Sequence, residues 1–262
     1  MKLGFIGVGN MASAMIGGIL AKKVVEPLDV LGSAKTRSSR EKRERELGIC
    51  MTKDNREVVR KTELLFLAVK PCYYQSVIEE IREDIREEQI LVTVAPGKTL
   101  EWLQEQFGKP VKLVRTMPNT PALVGEGMTA FCANSLVTDK DLETVRTLLE
   151  SFGRAEEVEE RLMSTVVAAS GSSPAYLFML MEAMADAAVA GGMPRAQAYE
   201  FVAQAVKGSA VLMEKTKLHP GVLKDMVCSP AGTTIEAVRI LEREGLRSGI
   251  MEAMRVCEEK AR

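Results

Sequence analysis

Histidine is nearly absent: the chain holds one, His219, among 262 residues. It precedes Pro220 at an apparent helix start, a position that suits capping or packing better than proton transfer. Charge of one sign is lacking too. A net charge of -1 leaves no basic excess for a nucleic acid or an anionic membrane surface. The cysteines (Cys50, Cys72, Cys132, Cys228 and Cys257) are odd in number, scattered, and form no CxxC or other metal spacing. No metal site is expected, and reduced thiols in a cytoplasmic setting follow. No apolar leader precedes Leu3-Gly4-Phe5-Ile6-Gly7, which reads as a strand. Residues 162–181 are uncharged and long enough to span a membrane, but Ser164, Thr165, Ser170, Gly171, Ser172, Ser173 and Pro174 would make a poor lipid-facing surface. A buried helix is expected there.

What is present is an alternation of short apolar runs with helical patterns over the first 160 residues. Strands are expected at 2–7, 28–32, 63–69, 90–94 and 112–115, with helices at 10–22, 38–47, 74–85 and 100–107 between them. Further strands at 128–133 and 154–158 bracket a helix at 139–151 and would extend the sheet. Beyond residue 160 the pattern is helical, interrupted at 170–174, 191–194, 219–221 and 229–234. The fold class expected is α/β: a doubly wound parallel sheet over residues 1–160, then an all-helical domain over 161–262. The helical part is rich in Ala and Met and suits burial against a second copy.

Gly7-Val8-Gly9-Asn10-Met11-Ala12 follows the first strand and opens a helix, the context in which a glycine pattern signals a dinucleotide site. Gly7 permits the tight turn, Gly9 lets the backbone approach a pyrophosphate, and Ala12 keeps helix and strand close. The second strand ends without the acidic residue that binds a free ribose hydroxyl. Ser33, Lys35, Thr36 and Arg37 stand there instead and suit the 2′-phosphate of NADP. Arg40, Lys42, Arg43 and Arg45 alternate with glutamates and read as a solvated helix face. Turns at 68–71 and 94–97 fall at strand C-termini, where an open sheet binds its ligand. The loop 114–121 carries two prolines and Asn119, a ligand contact or a structural residue of a rigid loop.

A second anion-binding signature, Ser229-Pro230-Ala231-Gly232-Thr233-Thr234, opens an amphipathic helix near the C-terminus. Reduction of a ketone forms an alkoxide and calls for a positioned acid, yet no Lys or His occurs from residue 162 to 204. A protonated imine relieves that need. The hydroxyl of Ser229 or Thr234 and the N–H groups of Gly232, Thr233 and Thr234 would bind its carboxylate and nitrogen. The same residues also read as a plain N-cap and first turn.

Together, residues 7–12, 68–71, 114–121, 170–176, 219–225 and 223–242 resemble the pyrroline-5-carboxylate reductase family over nearly the whole length. The resemblance implies a Rossmann-like N-terminal domain and a helical dimerisation domain, with dimers that assemble into rings in many members. It implies NADPH-dependent reduction of 1-pyrroline-5-carboxylate to L-proline, the last step of proline biosynthesis, with NADH as a possible second cofactor. The substrate, a small carboxylated cyclic imine, would sit at Ser229, Gly232, Thr233 and Thr234, with the Thr234 hydroxyl as the catalytic contact to the ring nitrogen. Asn55 would meet the adenosine portion of the cofactor; Ala68, Val69, Lys70, Pro71 and Ala95 would line its cleft. Ser173, Ala231 and Met226 depart from the family pattern, and Ala231 would be strained if its φ were positive. Two rivals remain. One is an NADP-linked reductase of hydroxy or oxo acids, with Lys207 as its nearest catalytic candidate. The other is an NADP-binding sensor without turnover.

Overall fold

The computed structural model describes the whole chain, residues 1–262. Eight strands form one sheet: β1 (Leu3–Ile6), β2 (Val30–Ser33), β3 (Cys50–Thr52), β4 (Leu64–Leu67), β5 (Ile90–Thr93), β6 (Lys112–Met117), β7 (Gly127–Ala133) and β8 (Gly153–Glu157). Their spatial order is β3-β2-β1-β4-β5-β6-β7-β8, and the first six are mutually parallel. The chain leaves β1 toward β2 and later returns to β4 on its other side. That reversal makes the crevice at the C-terminal ends of β1 and β4 the place where such a sheet binds ligands. β7 pairs antiparallel with β6 and parallel with β8, so the two later strands do extend the sheet.

The central strands read as unbroken apolar runs because helices cover both faces. Alternate residues feed two cores. Phe5, Phe66 and Phe131 join Ile16, Ile19 and Leu148 on one side; Ile6, Leu65, Leu67 and Leu91 join Val58, Ile78 and Leu103 on the other. The rings of Phe5 and Phe66 stack at 4.5 Å between centroids. Flanking helices are α1 (Asn10–Ala21), α2 (Arg37–Leu47), α3 (Asn55–Lys61), α4 (Tyr74–Ile81), α5 (Leu100–Phe107) and α6 (Asp139–Glu150). Residues 162–181 do not make one helix. They divide among the end of a 3-10 turn, α7 (Met163–Val166), a π turn (Val167–Gly171) and the start of α8 (Ser173–Ala190). No helix is long and apolar enough to cross a membrane.

Two compact units result: residues 1–172 with 258–262, and residues 173–257. The alternation of strand and helix ends near 160. The compact first unit runs further because Met163 is buried with Ala130 and Cys132, and Val166 packs beside them. The second unit is helical: α8, α9 (Arg195–Thr216), α10 (Pro220–Val227), α11 (Thr233–Arg243) and most of α12 (Leu246–Ala261). Its buried seam is small, formed by Ala185, Ala198 and Val202 between α8 and α9. Phe178, Met179, Phe201, Met226, Val227 and Met251 are each more than 60% exposed, an apolar surface that a single protomer leaves uncovered.

Candidate functional site

The turn from β1 into α1 is built so that only glycine fits. Gly7 has φ +90°, and a Cβ there would stand 2.6 Å from Val69 Cγ1 and 3.0 Å from the Val69 nitrogen. The N–H groups of Gly7 and Val8 donate to the Ser33 carbonyl at 3.2 and 3.0 Å, fastening the turn to the end of β2. Gly9 is the N-cap of α1, and no side chain caps that helix. Nothing in the chain lies within 4 Å of where a Gly9 Cβ would stand. The start of α1, where first-turn N–H groups are orphaned and the positive dipole end lies, is therefore unobstructed at Gly9. Ala12 is buried against the sheet, Met11 packs beside it, and Asn10 Oδ1 accepts from Arg43 Nη2 at 3.2 Å.

At the end of β2, Ser33 is 2% exposed and donates from Oγ to Asn55 Oδ1 at 2.7 Å. Thr36 is the N-cap of α2, accepting from the Ser39 N–H at 3.3 Å. Lys35 and Arg37 are exposed, and Arg37 meets Glu41 at 2.7 Å. The sequence places Arg40 and Arg43 on a solvated face; the structure corrects that. Arg40 Nη1 donates to the carbonyls of Ala34 and Lys35 at 2.8 and 3.1 Å, so it shapes the loop from beneath. Arg43 ties α2 to the start of α1 through Asn10.

The ends of β4 and β5 are joined by a residue that sequence reasoning missed. Tyr74, 1% exposed, donates to the Leu67 carbonyl at 2.5 Å and accepts from the Val94 N–H at 3.2 Å. Burial pushes its phenol well above the usual tyrosine range, so it remains a neutral bridge. This bridge fixes the bases of two turns, one holding Ala68, Val69, Lys70 and Pro71, the other holding Ala95. Ala68 and Val69 are half-buried, Lys70 and Pro71 exposed, and Ala95 buried. Asn119 is committed elsewhere. Its Nδ2 donates to the carbonyl and hydroxyl of Ser170, each at 3.2 Å, and its Oδ1 accepts from Met128 N–H at 2.9 Å. Of the two readings of Asn119, this geometry fits the structural one.

In the helical unit, residues 229–232 close a tight turn. The Gly232 N–H donates to the Ser229 carbonyl at 3.0 Å, so that N–H serves the turn and is not a free donor as the sequence reading had it. Pro230 at the second position and a φ of +56° at Ala231 define a type II turn. The positive φ is the strained alternative for Ala231. Gly232 is the N-cap of α11, again with no side-chain cap. A Cβ on Gly232 would lie 2.3 Å from Ser229 Oγ, so the missing side chain makes room for the hydroxyl at the helix start. Thr233 and Thr234 occupy the first turn, the former exposed and the latter half-buried. His219 caps α10: its Nδ1 accepts from the Gly221 N–H at 3.1 Å. The capping role read from the sequence holds.

Two family patterns match the chain. Residues 2–97 fit "NADP oxidoreductase coenzyme F420-dependent", and residues 160–262 fit "Pyrroline-5-carboxylate reductase dimerisation". The pyrroline-5-carboxylate reductase of Escherichia coli is 47% identical over 260 residues, covering 99% of this chain and 97% of its own. That of Methanosarcina acetivorans is 37% identical over 261 residues, covering 100% and 97%. A crystal structure of the Plasmodium falciparum pyrroline carboxylate reductase with NADP bound superposes with a TM-score of 0.92 at 30% identity, covering 100% of this chain and 97% of the other.

Proposed function

The chain belongs to the pyrroline-5-carboxylate reductase family, and from that membership we propose how its residues divide the work. The enzyme uses NADPH to reduce the C=N bond of 1-pyrroline-5-carboxylate to L-proline, the last step of proline biosynthesis. When bound, the reduced cofactor supplies the hydride that adds to the imine carbon. The fit of the first unit to that cofactor rests on the uncapped start of α1, open above Gly9. In this reading the N–H groups of Asn10, Met11 and Ala12 hold the pyrophosphate. Lys35, Thr36 and Arg37 take the adenosine-side phosphate, and the buried Ser33 meets the ribose with Asn55 beside it. Ala68, Val69, Lys70, Pro71 and Ala95 wall the cleft, and Asn119 braces it through Ser170. We assign cofactor binding to residues 1–160 and substrate binding with dimerisation to 161–262.

One observation carries the substrate assignment: α11 begins on a glycine with no side-chain cap, and the Ser229 hydroxyl stands 2.3 Å from where that glycine's Cβ would be. A carboxylate at this point meets the Ser229 Oγ–H, the N–H groups of Thr233 and Thr234, and the positive end of the helix. The Thr234 hydroxyl, half-buried in the same turn, faces the ring nitrogen. A protonated imine is already electrophilic, and hydride addition leaves a neutral amine. The residues must hold the ring and its nitrogen but need not deliver a proton in the reduction step.

Self-association follows from the dimerisation domain. Assembly of dimers into a ring is the finer expectation, checked by light scattering after size exclusion. A cytoplasmic setting belongs to the same proposal, since Cys50 and Cys72 are exposed free thiols suited to a reducing compartment. The decisive assay follows NADPH oxidation with pyrroline-5-carboxylate, ketopantoate and short 2- and 3-oxo acids. Turnover of the imine alone is expected, and turnover of the oxo acids alone would restore Lys207 as a candidate. Thr234→Ala should cut kcat/KM for the imine about 5- to 150-fold while NADPH affinity is held. Unchanged efficiency would remove its assigned role.

A further inference from the structure

The second strand ends without an acidic residue, yet a carboxylate reaches that position through a relay. Glu80 on α4 accepts from Asn55 Nδ2 at 2.9 Å, and Asn55 Oδ1 accepts from Ser33 Oγ at 2.7 Å. The direction of the relay is dictated by its anionic end. A carboxylate only accepts hydrogen bonds, so the amide of Asn55 must turn its NH₂ toward Glu80 and its oxygen toward Ser33. Ser33 must then spend its single proton on Asn55 and is left presenting lone pairs. The arrangement is held from a second direction, because Arg56 Nε donates to the Glu80 backbone carbonyl at 2.9 Å and ties α3 to α4.

An acceptor at the end of the second strand suits a ribose hydroxyl, which donates, and opposes a 2′-phosphate, which only accepts. The exposed Lys35 and Arg37 pull the other way. We propose that Glu80 is a positioning residue that sets the balance between the two nicotinamide dinucleotides. Through Asn55 it orients Ser33 as an acceptor, which supports binding of the 2′-hydroxyl form and restrains preference for the 2′-phosphate form. The inference rests on the assignment of the adenosine end to Ser33, Lys35, Arg37 and Asn55. It uses no residue of the substrate turn.

Glu80→Gln breaks the relay's direction while keeping its shape. Glutamine can donate to Asn55, which lets the amide reverse and frees the Ser33 proton for a phosphate oxygen. Calorimetric titration of the full-length enzyme with NADP⁺ and with NAD⁺, without imine, reads the effect directly. The ratio of dissociation constants, NAD⁺ over NADP⁺, should rise about 3- to 10-fold in Glu80→Gln, the scale of one hydrogen bond. In a Ser33→Ala background the same substitution should change the ratio less than about 2-fold, because the relay then has no end. A ratio that stays constant in Glu80→Gln overturns the proposal. So does an equal rise in both backgrounds, which would show a through-space charge effect and no relay. If Ser33→Ala also leaves both dissociation constants unaltered, the adenosine-end assignment falls as well. Thermal unfolding of each variant verifies that the fold is retained.

Discussion

Replacing Gly232 with alanine tests the carboxylate site without removing a polar group. The new Cβ would lie 2.3 Å from Ser229 Oγ and 3.0 Å from the Ser229 carbonyl oxygen. The first contact cannot be accommodated, but the hydroxyl sits at the end of one rotatable bond and can swing away. The second asks for a shift of a few tenths of an ångström. The backbone at Gly232, φ -79° and ψ 170°, is ordinary for alanine. Alanine is the poorer N-cap, and its smaller unfolded-state entropy offsets that by about 0.4–1 kcal/mol. Stability should therefore move by less than about 1 kcal/mol, or a few degrees in Tm.

Substrate recognition should not be spared in the same way. A hydrogen bond to a charged group contributes about 1.5–3 kcal/mol, so displacing Ser229 Oγ should lower kcat/KM for the imine about 10- to 150-fold. Steady-state NADPH oxidation should show this as a raised imine KM, with the NADPH KM held. Ser229→Ala should give a loss of similar size, and the double variant should lose no more than either alone, since both remove one hydroxyl. Independent effects that multiply in the double variant would refute the reasoning, as would a Gly232→Ala enzyme with normal imine KM.

Gly7→Ala should weaken NADPH binding at least about 10-fold in a fluorescence titration, because φ +90° and the 2.6 Å approach to Val69 force the turn to move; wild-type affinity would contradict the close-approach argument. Ala231→Gly should raise Tm by about 1–3 °C, since relief of a left-handed alanine, about 1–2 kcal/mol, exceeds the added unfolded-state entropy of about 0.4–1 kcal/mol. A lowered Tm would show that the Ala231 methyl has a packing role. His219→Asn keeps a side-chain cap on α10 and should leave the pH profile of kcat unchanged; loss of its alkaline limb would identify His219 as a proton donor.

The strands of the sheet were legible because β1, β4 and β5 are covered on both faces and so write themselves as Val-, Ile- and Leu-rich runs. β3 and α3 were not anticipated. β3 is a three-residue edge strand beginning on an exposed cysteine, too short for periodicity to register. α3 did carry a signal: Asp54, with Glu57 three residues on, is the pattern of a capped helix start, and Asp54 does accept from the Arg56 N–H at 2.9 Å. The roles of Glu80 and Tyr74 had no local signature, because each reaches a partner about twenty residues or more away that only the fold brings near; Arg40 acts locally, on carbonyls five and six residues back, but its arginine-glutamate surroundings read as a solvated face. The turn at 229–232 was recognisable as a motif, yet its internal hydrogen bonding was not. That the Gly232 N–H closes the turn, and that its value lies in an absent Cβ, depends on coordinates a sequence does not hold.

Capping differs among the helix starts. Thr36, Asp54, Thr99, Thr138 and His219 cap α2, α3, α5, α6 and α10 with their own side chains. Each such cap contributes about 0.5–2 kcal/mol and occupies a backbone N–H that would otherwise seek an acceptor. α1 and α11 begin instead on Gly9 and Gly232, and no side chain caps either. A serine or aspartate at these two positions would stabilise the helix by the same rule and would occupy the N–H groups an anion needs. Mass action returns the forgone stability once ligand is present, about 2.7 kcal/mol when its concentration is a hundred times the dissociation constant. With the cofactor and substrate at the two starts proposed for them, the enzyme should be more stable loaded than empty. α4, α7 and α9 also start without a side-chain cap, so a bare start alone marks no site; α1 and α11 differ in beginning on a glycine, whose missing Cβ leaves room at the helix start.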